Sequence, residues 1–262
     1  MDSELRRAIA FEEGLRERCA ERIVPFRFGR AVFNDTFRSV YDLNGLRVDE
    51  PGAATVDVLA EEAERLHGAA GHDHRRITVL DEKAGGRLVD GFRELGWNAD
   101  RFLLMAYRSR GERSVETGEV EEVDAATLRP LHEEIVRAEP WADSDEIVRQ
   151  ILDSSELVAR AASARHFAVR AGGEAVSGAD LYSDGHTAQV EDVSTRRAVR
   201  GRGLASAVTL RAVQEALAAG HDFVFLVAAD DDWPKELYAR LGFAPLGRKW
   251  TFLKRPAPAG RA

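Results

Sequence analysis

The chain has 262 residues, 44% of them hydrophobic, and a net charge of −8 at pH 7, so it is long enough to bury a substantial core. The acidic balance argues against a nucleic-acid partner, which needs a concentrated basic face. A lone cysteine, Cys19, excludes an internal disulfide. The start, "MDSELRRAIAFEEGLRERCAE", lacks the apolar run of a signal peptide, and no segment has the length of a membrane span, so a cytoplasmic chain with no membrane partner is expected.

Alternating helix and strand patterns run through residues 1–108 and again through 118–256, joined by the polar stretch "RSRGERSVETGE" at 108–119. The expected division is a lobe over 1–110 and a second over 117–256. In the first, "AIAFEEGLRERCAE" reads as a helix, and "FRFGRAVFN" and "SVYDLNGLRV" as strands. A helix over "ATVDVLAEEAERLHGAA", a strand at "RITVL", a helix over "GRLVDGFREL" and a strand at "RFLLMAY" follow. The three histidines of "HGAAGHDH" have no partnering cysteines, and no metal site is expected there.

The second half opens with the strand "EVEEV" and helices over "ATLRPLHEEIVRAE" and "DEIVRQILDSSE". Strands follow at "HFAVRA", "EAVSGADLYS" and "TAQVEDVST". A helix from near Gly203 carries Ala207, Leu210, Val213 and Leu217 on one face and stops at Gly220. The apolar "FVFLV" fits a strand covered on both faces. "PKELYARLG" is a helix with Pro234 at its start, and "KWTFLK" the last strand.

The two halves share a repeat. At an offset of 146, "ITVLDEKAGGRLVDGFRELGW" aligns with "FVFLVAADDDWPKELYARLGF" without a gap, placing Leu80 on Leu226, Leu95 on Leu241 and Phe92 on Tyr238.

"VRGRGLA", residues 199–205, sits between a strand and a helix. Gly201 and Gly203 permit positive φ, and the amides of a helix N-terminus converge on one spot, so an anion fits there. A plain helix-opening turn fits the glycine spacing equally well. Arg200 and Arg202 add little on their own, because the chain holds 33 Arg against 4 Lys. A Walker A loop is excluded, since no lysine follows the second glycine. A dinucleotide fingerprint over Gly201 and Gly203 has Ser206 at its last position, an acid further on at Asp230, and too few strands after it for a nucleotide fold.

A third spacing, Arg/Gln-x-x-Gly-x-Gly/Ala, is met by Arg200, Gly203 and Ala205. Here the sequence resembles the GNAT acetyltransferase superfamily, whose motif of this form binds the pyrophosphate of acetyl-CoA. "VEDVSTRRAVRGRGLASAV" looks like the family's fourth strand, loop and third helix, with Arg197 where a proline is common. Downstream, "FVFLVAADDDWPKELYARLGF" is similar to the fifth strand and following helix, with Tyr238 at the tyrosine position, Gly242-Phe243 at the terminal pair and Asp231 where Asn is usual. The match spans about 118–256.

The resemblance implies an α/β (α+β) GNAT fold, a mixed sheet flanked by helices, with two GNAT-like lobes in tandem. It implies acetyl-CoA as co-substrate, no metal, and a small-molecule amine as acceptor, in a monomer or homodimer. The fourth and fifth strands of such a fold splay, and the pantetheine arm pairs with Val193, Ser194 and Thr195. Arg200, Gly201, Arg202, Gly203, Leu204, Ala205 and Ser206 hold the pyrophosphate, and Asp231 stands at a further contact. Tyr238 is the implied general acid. Glu191 is the direct candidate for general base, with Gln189, Asp192 or a water chain as alternatives. Strand alternation places Gln189, Glu191 and Val193 on one face and Val190 and Asp192 on the other, without saying which meets substrate. "EPWADSDE" at 139–146 falls where the family builds an acceptor wall, and its Trp141 and acids suit either a cationic amine or a helix cap. The first half lacks a glycine-rich loop in its counterpart stretch "LRVDEPGAATV", and Phe92 cannot donate a proton, so a degenerate lobe without acetyl-CoA is expected. Rival classes are a non-catalytic acyl-CoA-binding regulator and a nicotinamide-dependent oxidoreductase.

Overall fold

A computed structural model describes residues 3–109 and 115–256, so residues 110–114 of the connection between the sequence halves lie outside the described residues. The chain forms two compact units. The major unit is built from the segments up to Leu15, Leu104–Ala228 and Asp232–Leu246; the minor unit from Arg16–Leu103, Ala229–Asp231 and the chain from Gly247 onward. Both units therefore draw on either side of the connection.

In the minor unit, β1 (Arg22–Phe26) and β2 (Gly29–Phe33) form a tight hairpin where a single strand is predicted, because Arg27 and Phe28 make the turn. The next predicted strand is shorter than its pattern: a 3₁₀ turn at Tyr41–Leu43 takes up its start, leaving β3 (Gly45–Val48) antiparallel to β2. Helix α2 (Val56–Ala70) then crosses over to β4 (Arg75–Val79), which runs parallel to β3. Helix α3 spans Glu82–Glu94, starting earlier than predicted because Asp81 caps it by accepting from the Ala84 amide. The strand next to β4 comes from the far end of the chain: β11 (Phe243–Lys254) pairs antiparallel with it, Trp250 opposite Val79. Phe33, Leu46, Leu59, Ile77, Phe92 and Phe252 fill the core between these elements.

His67, His72 and His74 sit in that core against Phe33 and Tyr41. His67 donates through Nδ1 to the Ala63 carbonyl and accepts at Nε2 from the Arg76 amide, and the His74 Nε2–H donates to the Asn44 carbonyl. Both rings are thus satisfied as neutral imidazoles. No group of three or more metal-ligating side chains is found among the described residues.

The major unit uses the same plan. β6 (Glu121–Val123), β7 (Arg165–Ala171), β8 (Glu174–Ser183) and β9 (Thr187–Thr195) form an antiparallel run, and β10 (Phe223–Ala229) pairs parallel with β9 across helix α6 (Leu204–Ala218). The strand order is β5-β10-β9-β8-β7-β6, where β5 (Asn98–Tyr107) comes from the first half of the sequence. Each unit is thus completed by a strand from the opposite half, and the repeat seen at an offset of 146 reappears as β4-α3-β5 and β10-α7-β11, with α7 at Pro234–Arg240. Helices α4 (Ala125–Arg137) and α5 (Asp145–Ala161) cover one face. Gly178 of β8 is what lets α4 close in, since a Cβ there would stand 2.5 Å from the Leu128 side chain. The first helix, α1 (Ser3–Cys19), also contributes to the major unit: Phe11 meets Phe225 edge to face at 5.6 Å, and Arg7 bonds Thr187 and Asp222. Among the described residues no helix is long and apolar enough to cross a membrane.

Burial, and after it the neighbouring positive groups, lowers His67 and His74 to about 3. Both values lie below the unfolded 6.5, so the stability this confers is complete above pH 6.5 and is lost as pH falls toward 3. Urea unfolding followed by Trp97 and Trp250 emission should lose about 2 kcal/mol per histidine between pH 7.5 and 5; an unchanged midpoint would contradict this. A fragment starting at residue 117 lacks β5 and leaves apolar β10 as an unpaired edge, so it should aggregate or melt without cooperativity. A cooperative melt matching the whole chain's would argue against the strand exchange.

Candidate active site

Strand β9 carries the site because it parts from one neighbour and kinks against the other. Its pairing with β10 runs from Thr187–Phe223 to Val190–Leu226 and stops there, although both strands continue. A gap therefore opens beside residues 191–195. On the other side, Gly178 pairs with Ser194 and Asp180 with Glu191, so Asp192 and Val193 together oppose Ala179. This is a β-bulge, and Asp192 takes φ +49° to make it. The bulge overturns the expected alternation beyond Glu191. Asp192 is carried onto the face of Tyr182 and Glu191, where its carboxylate accepts from the Tyr182 hydroxyl at 3.4 Å.

That face is the one α4 covers. Gly178 meets Leu128, and residues two apart on β8 share a face, as do partners across an antiparallel ladder. Asp180, Tyr182, Gln189 and Glu191 therefore gather there. Gln189, 2% exposed, donates through Nε2 to a Glu191 carboxylate oxygen. Burial, and then the charges of Asp192, Asp180 and Glu191, raise the Tyr182 hydroxyl well above the ordinary tyrosine range.

Tyr238 projects from α7, where Pro234 at the first turn presets the helix. Its side chain is buried, packs edge to face on Phe243, and is pushed up to about 12, first by burial and then by the negative charge of Glu191. Tyr238 thus responds to the charge of Glu191, 47 positions earlier in the sequence.

The glycine stretch forms the turn between β9 and α6. After a 3₁₀ turn at Arg197–Val199, Gly201 and Gly203 adopt φ +80° and +81°. Gly203 is the N-cap of α6, and the first helical bond is Ala207 N–H to its carbonyl. Helices α2, α3, α4 and α5 are closed by the side chains of Thr55, Asp81, Asp124 and Ser144; α6 has no side-chain cap. The amides of Leu204, Ala205 and Ser206 therefore head an open, electropositive helix end. Arg200 bonds the Thr195 carbonyl at 3.1 Å and ties the turn to β9, while Arg202 is exposed. Ser177 holds the Ser194 carbonyl at 2.9 Å and the Thr195 hydroxyl at 2.8 Å, fixing the end of the strand; Val193 beside them is half-buried.

Other candidates fall elsewhere. Asp231 belongs to the minor unit, where it is exposed and its charge helps raise Asp100. Asp230, the acid of the dinucleotide pattern, is buried in that unit between Arg101 at 2.6 Å and Arg248 at 2.8 Å, which gives it a structural role. Within "EPWADSDE", Ser144 caps α5 and Asp145 pairs with Arg137 at 2.7 Å. In the minor unit, the counterpart of the glycine turn is closed by Thr55 and has Asp49 paired to Arg30, and Phe92 is fully buried against Phe252. Sequence reasoning missed Asp180, Tyr182 and His166, which hydrogen-bonds Asp180. The signal was available in "GADLY", where an acid interrupts a strand buried along nearly its whole length.

Residues 128–243 match the profile of the Acetyltransferase (GNAT) family. No curated protein matches the sequence. Among solved structures, a functionally unknown conserved protein from Staphylococcus epidermidis is 17% identical with a TM-score of 0.69, covering 91% of this chain and 95% of that one. A GCN5-related N-acetyltransferase from Kribbella flavida is 21% identical with a TM-score of 0.64, covering 99% and 97%. A tandem GNAT protein from the clavulanic acid biosynthesis pathway is 15% identical with a TM-score of 0.53, covering 81% and 75%. At these identities the likeness is one of fold.

A Cβ at Gly203 meets nothing within 4 Å, so only its backbone angle resists substitution. Gly203→Ala should lower the unfolding free energy by about 1 kcal/mol in urea titration. A neutral result would mean the turn relaxes out of its left-handed conformation.

Proposed function

We propose that the protein, whose residues 128–243 match the profile of the GNAT acetyltransferase family, is an acetyl-CoA-dependent N-acetyltransferase that modifies a primary amine of a small molecule by direct attack. The observation that carries the reading is the conjunction at β9: a helix end left uncapped on one side of the gap, and Tyr238 in the field of Glu191 on the other. The uncapped end fits a pyrophosphate, with Arg200, Gly201, Arg202, Gly203, Leu204, Ala205 and Ser206 around it and Val193, Ser194 and Thr195 lining the pantetheine path. Acetyl-CoA supplies the acetyl group as an activated thioester.

Glu191 accepts a proton from the acceptor's ammonium at a carboxylate oxygen, held by the Gln189 Nε2 bond. A β9 backbone N–H stabilises the charge that develops on the thioester carbonyl oxygen, a contribution of about 3 kcal/mol for such donors. The freed amine attacks the thioester carbonyl carbon and forms the C–N bond. As the C–S bond breaks, the Tyr238 hydroxyl gives its proton to the departing sulfur and is restored by a proton from the newly acylated nitrogen. The transfers to Glu191 and from Tyr238 are coupled by charge. Burial is the larger cause holding the Tyr238 proton in place, and the ionised Glu191 adds to it; protonation of Glu191 removes that addition and makes the hydroxyl a better acid than before. The acid-lined face, with Asp180, Glu191 and Asp192, suits a cationic acceptor. The minor unit, with its capped α2 and buried Phe92, takes no acetyl-CoA in this reading, and the site of action is the cytoplasm.

Acetyl-CoA and CoA, but not NAD(H), should raise the melting temperature, and calorimetry should give one acetyl-CoA per chain. Thiol release with a panel of amines then identifies the acceptor. Tyr238→Phe should lower kcat by about 100-fold or more while leaving acetyl-CoA binding intact. Absence of stabilisation by CoA would sink the proposal, and unchanged turnover in the Tyr238 variant would remove the acid.

A further inference from the structure

Three adjacent strands of the major unit place ionisable side chains in one row. His166 of β7 is directly opposite Asp180 of β8, and Asp180 is directly opposite Glu191 of β9. Partners in such a ladder have Cβ atoms about 5 Å apart and share a face. The His166 Nδ1 lies 2.8 Å from Asp180 Oδ1, with the two side chains 12% and 7% exposed. The proposed mechanism gives this pair no proton-transfer step.

We infer that the buried His166–Asp180 ion pair sets the basicity of Glu191, with His166 acting as a positioning residue for charge. Two carboxylates facing each other on a covered sheet repel, and that repulsion is relieved when a cation offsets one of them. An imidazolium on Asp180 cancels that carboxylate's charge, and Glu191 is left as the ionised member that accepts the acceptor's proton. Asp180 in turn holds the His166 imidazolium above its ordinary range, through the hydrogen bond first, with Asp192 and Asp124 adding to it. Other charged and titratable groups around the row include Arg129 and His132 of α4, Glu156 of α5, Tyr182 of β8 and Tyr238 of α7. Arg129 is itself paired with Asp153 at 2.6 Å, so His166 is the cation in contact with Asp180. A cavity of about 100 Å³ between α4, α5 and these strands is lined by both members of the pair and is roomy enough for water, so His166 can exchange its proton with solvent.

The inference rests on Glu191 being the base, and the test separates the two. The Glu191 carboxyl is titrated by carbon NMR in the full chain, without substrate, alongside the acid limb of kcat/KM. His166→Gln leaves Asp180 unpaired and should move the Glu191 midpoint up by about one pH unit. Asp180→Asn removes the facing charge and should move it down, and the double variant should return it toward the original value. Opposite signs from two neighbouring substitutions are not produced by loosened packing. An unmoved midpoint in His166→Gln, or shifts of the same sign in both single variants, would overturn the inference. Midpoints that move as expected while the acid limb of kcat/KM stays fixed would uphold the pair's role and remove Glu191 as the base.

Discussion

The interaction on which the site depends is one that ceases. Parallel pairing between β9 and β10 holds through Val190 and Leu226 and then ends. Backbone groups inside a sheet are normally consumed by their neighbours, and beyond Val190 and Leu226 these two strands no longer serve each other. The bulge at Asp192 enlarges the effect by turning an extra carboxylate onto the covered face. Everything proposed for the chemistry gathers at this parting: the uncapped helix end, the carboxylates of β8 and β9, and the tyrosine of α7.

The charges collected there constrain one another. Tyr182, Asp180, Glu191 and Asp192 lie close enough for each carboxylate to raise the same hydroxyl, and Glu191 reaches Tyr238 as well. Concentrating like charges on a covered face is unfavourable unless a cation offsets them. His166 supplies one from within the sheet. A cationic acceptor of the kind proposed would supply another.

Much of this was legible in the residues. The strands "TAQVEDVST" and "EAVSGADLYS" begin and end where their alternation and bounding residues place them, and Gly220 takes the left-handed conformation just past α6. Gly201 and Gly203 likewise take the left-handed conformation that their spacing permits, because local backbone chemistry leaves its mark in a single stretch of chain. The bulge at Asp192 was not. It depends on the register of β8 against β9, which is decided by packing between residues far apart. His166 escaped notice for the same reason, since its partner stands 14 residues away on another strand. The exchange of terminal strands was also hidden, because β5 and β11 carry the same pattern and either would satisfy the edge next to β4 or β10.

That exchange bears on how such a chain changes over generations. A duplicated domain usually leaves a spare copy that can be trimmed once its chemistry is gone. Here the strand completing each compact unit is encoded in the other half of the gene. Deleting the half with the closed helix end would strip the other half of β5. The strand exchange therefore ties the halves together, since neither can be discarded without leaving the other's unit a strand short.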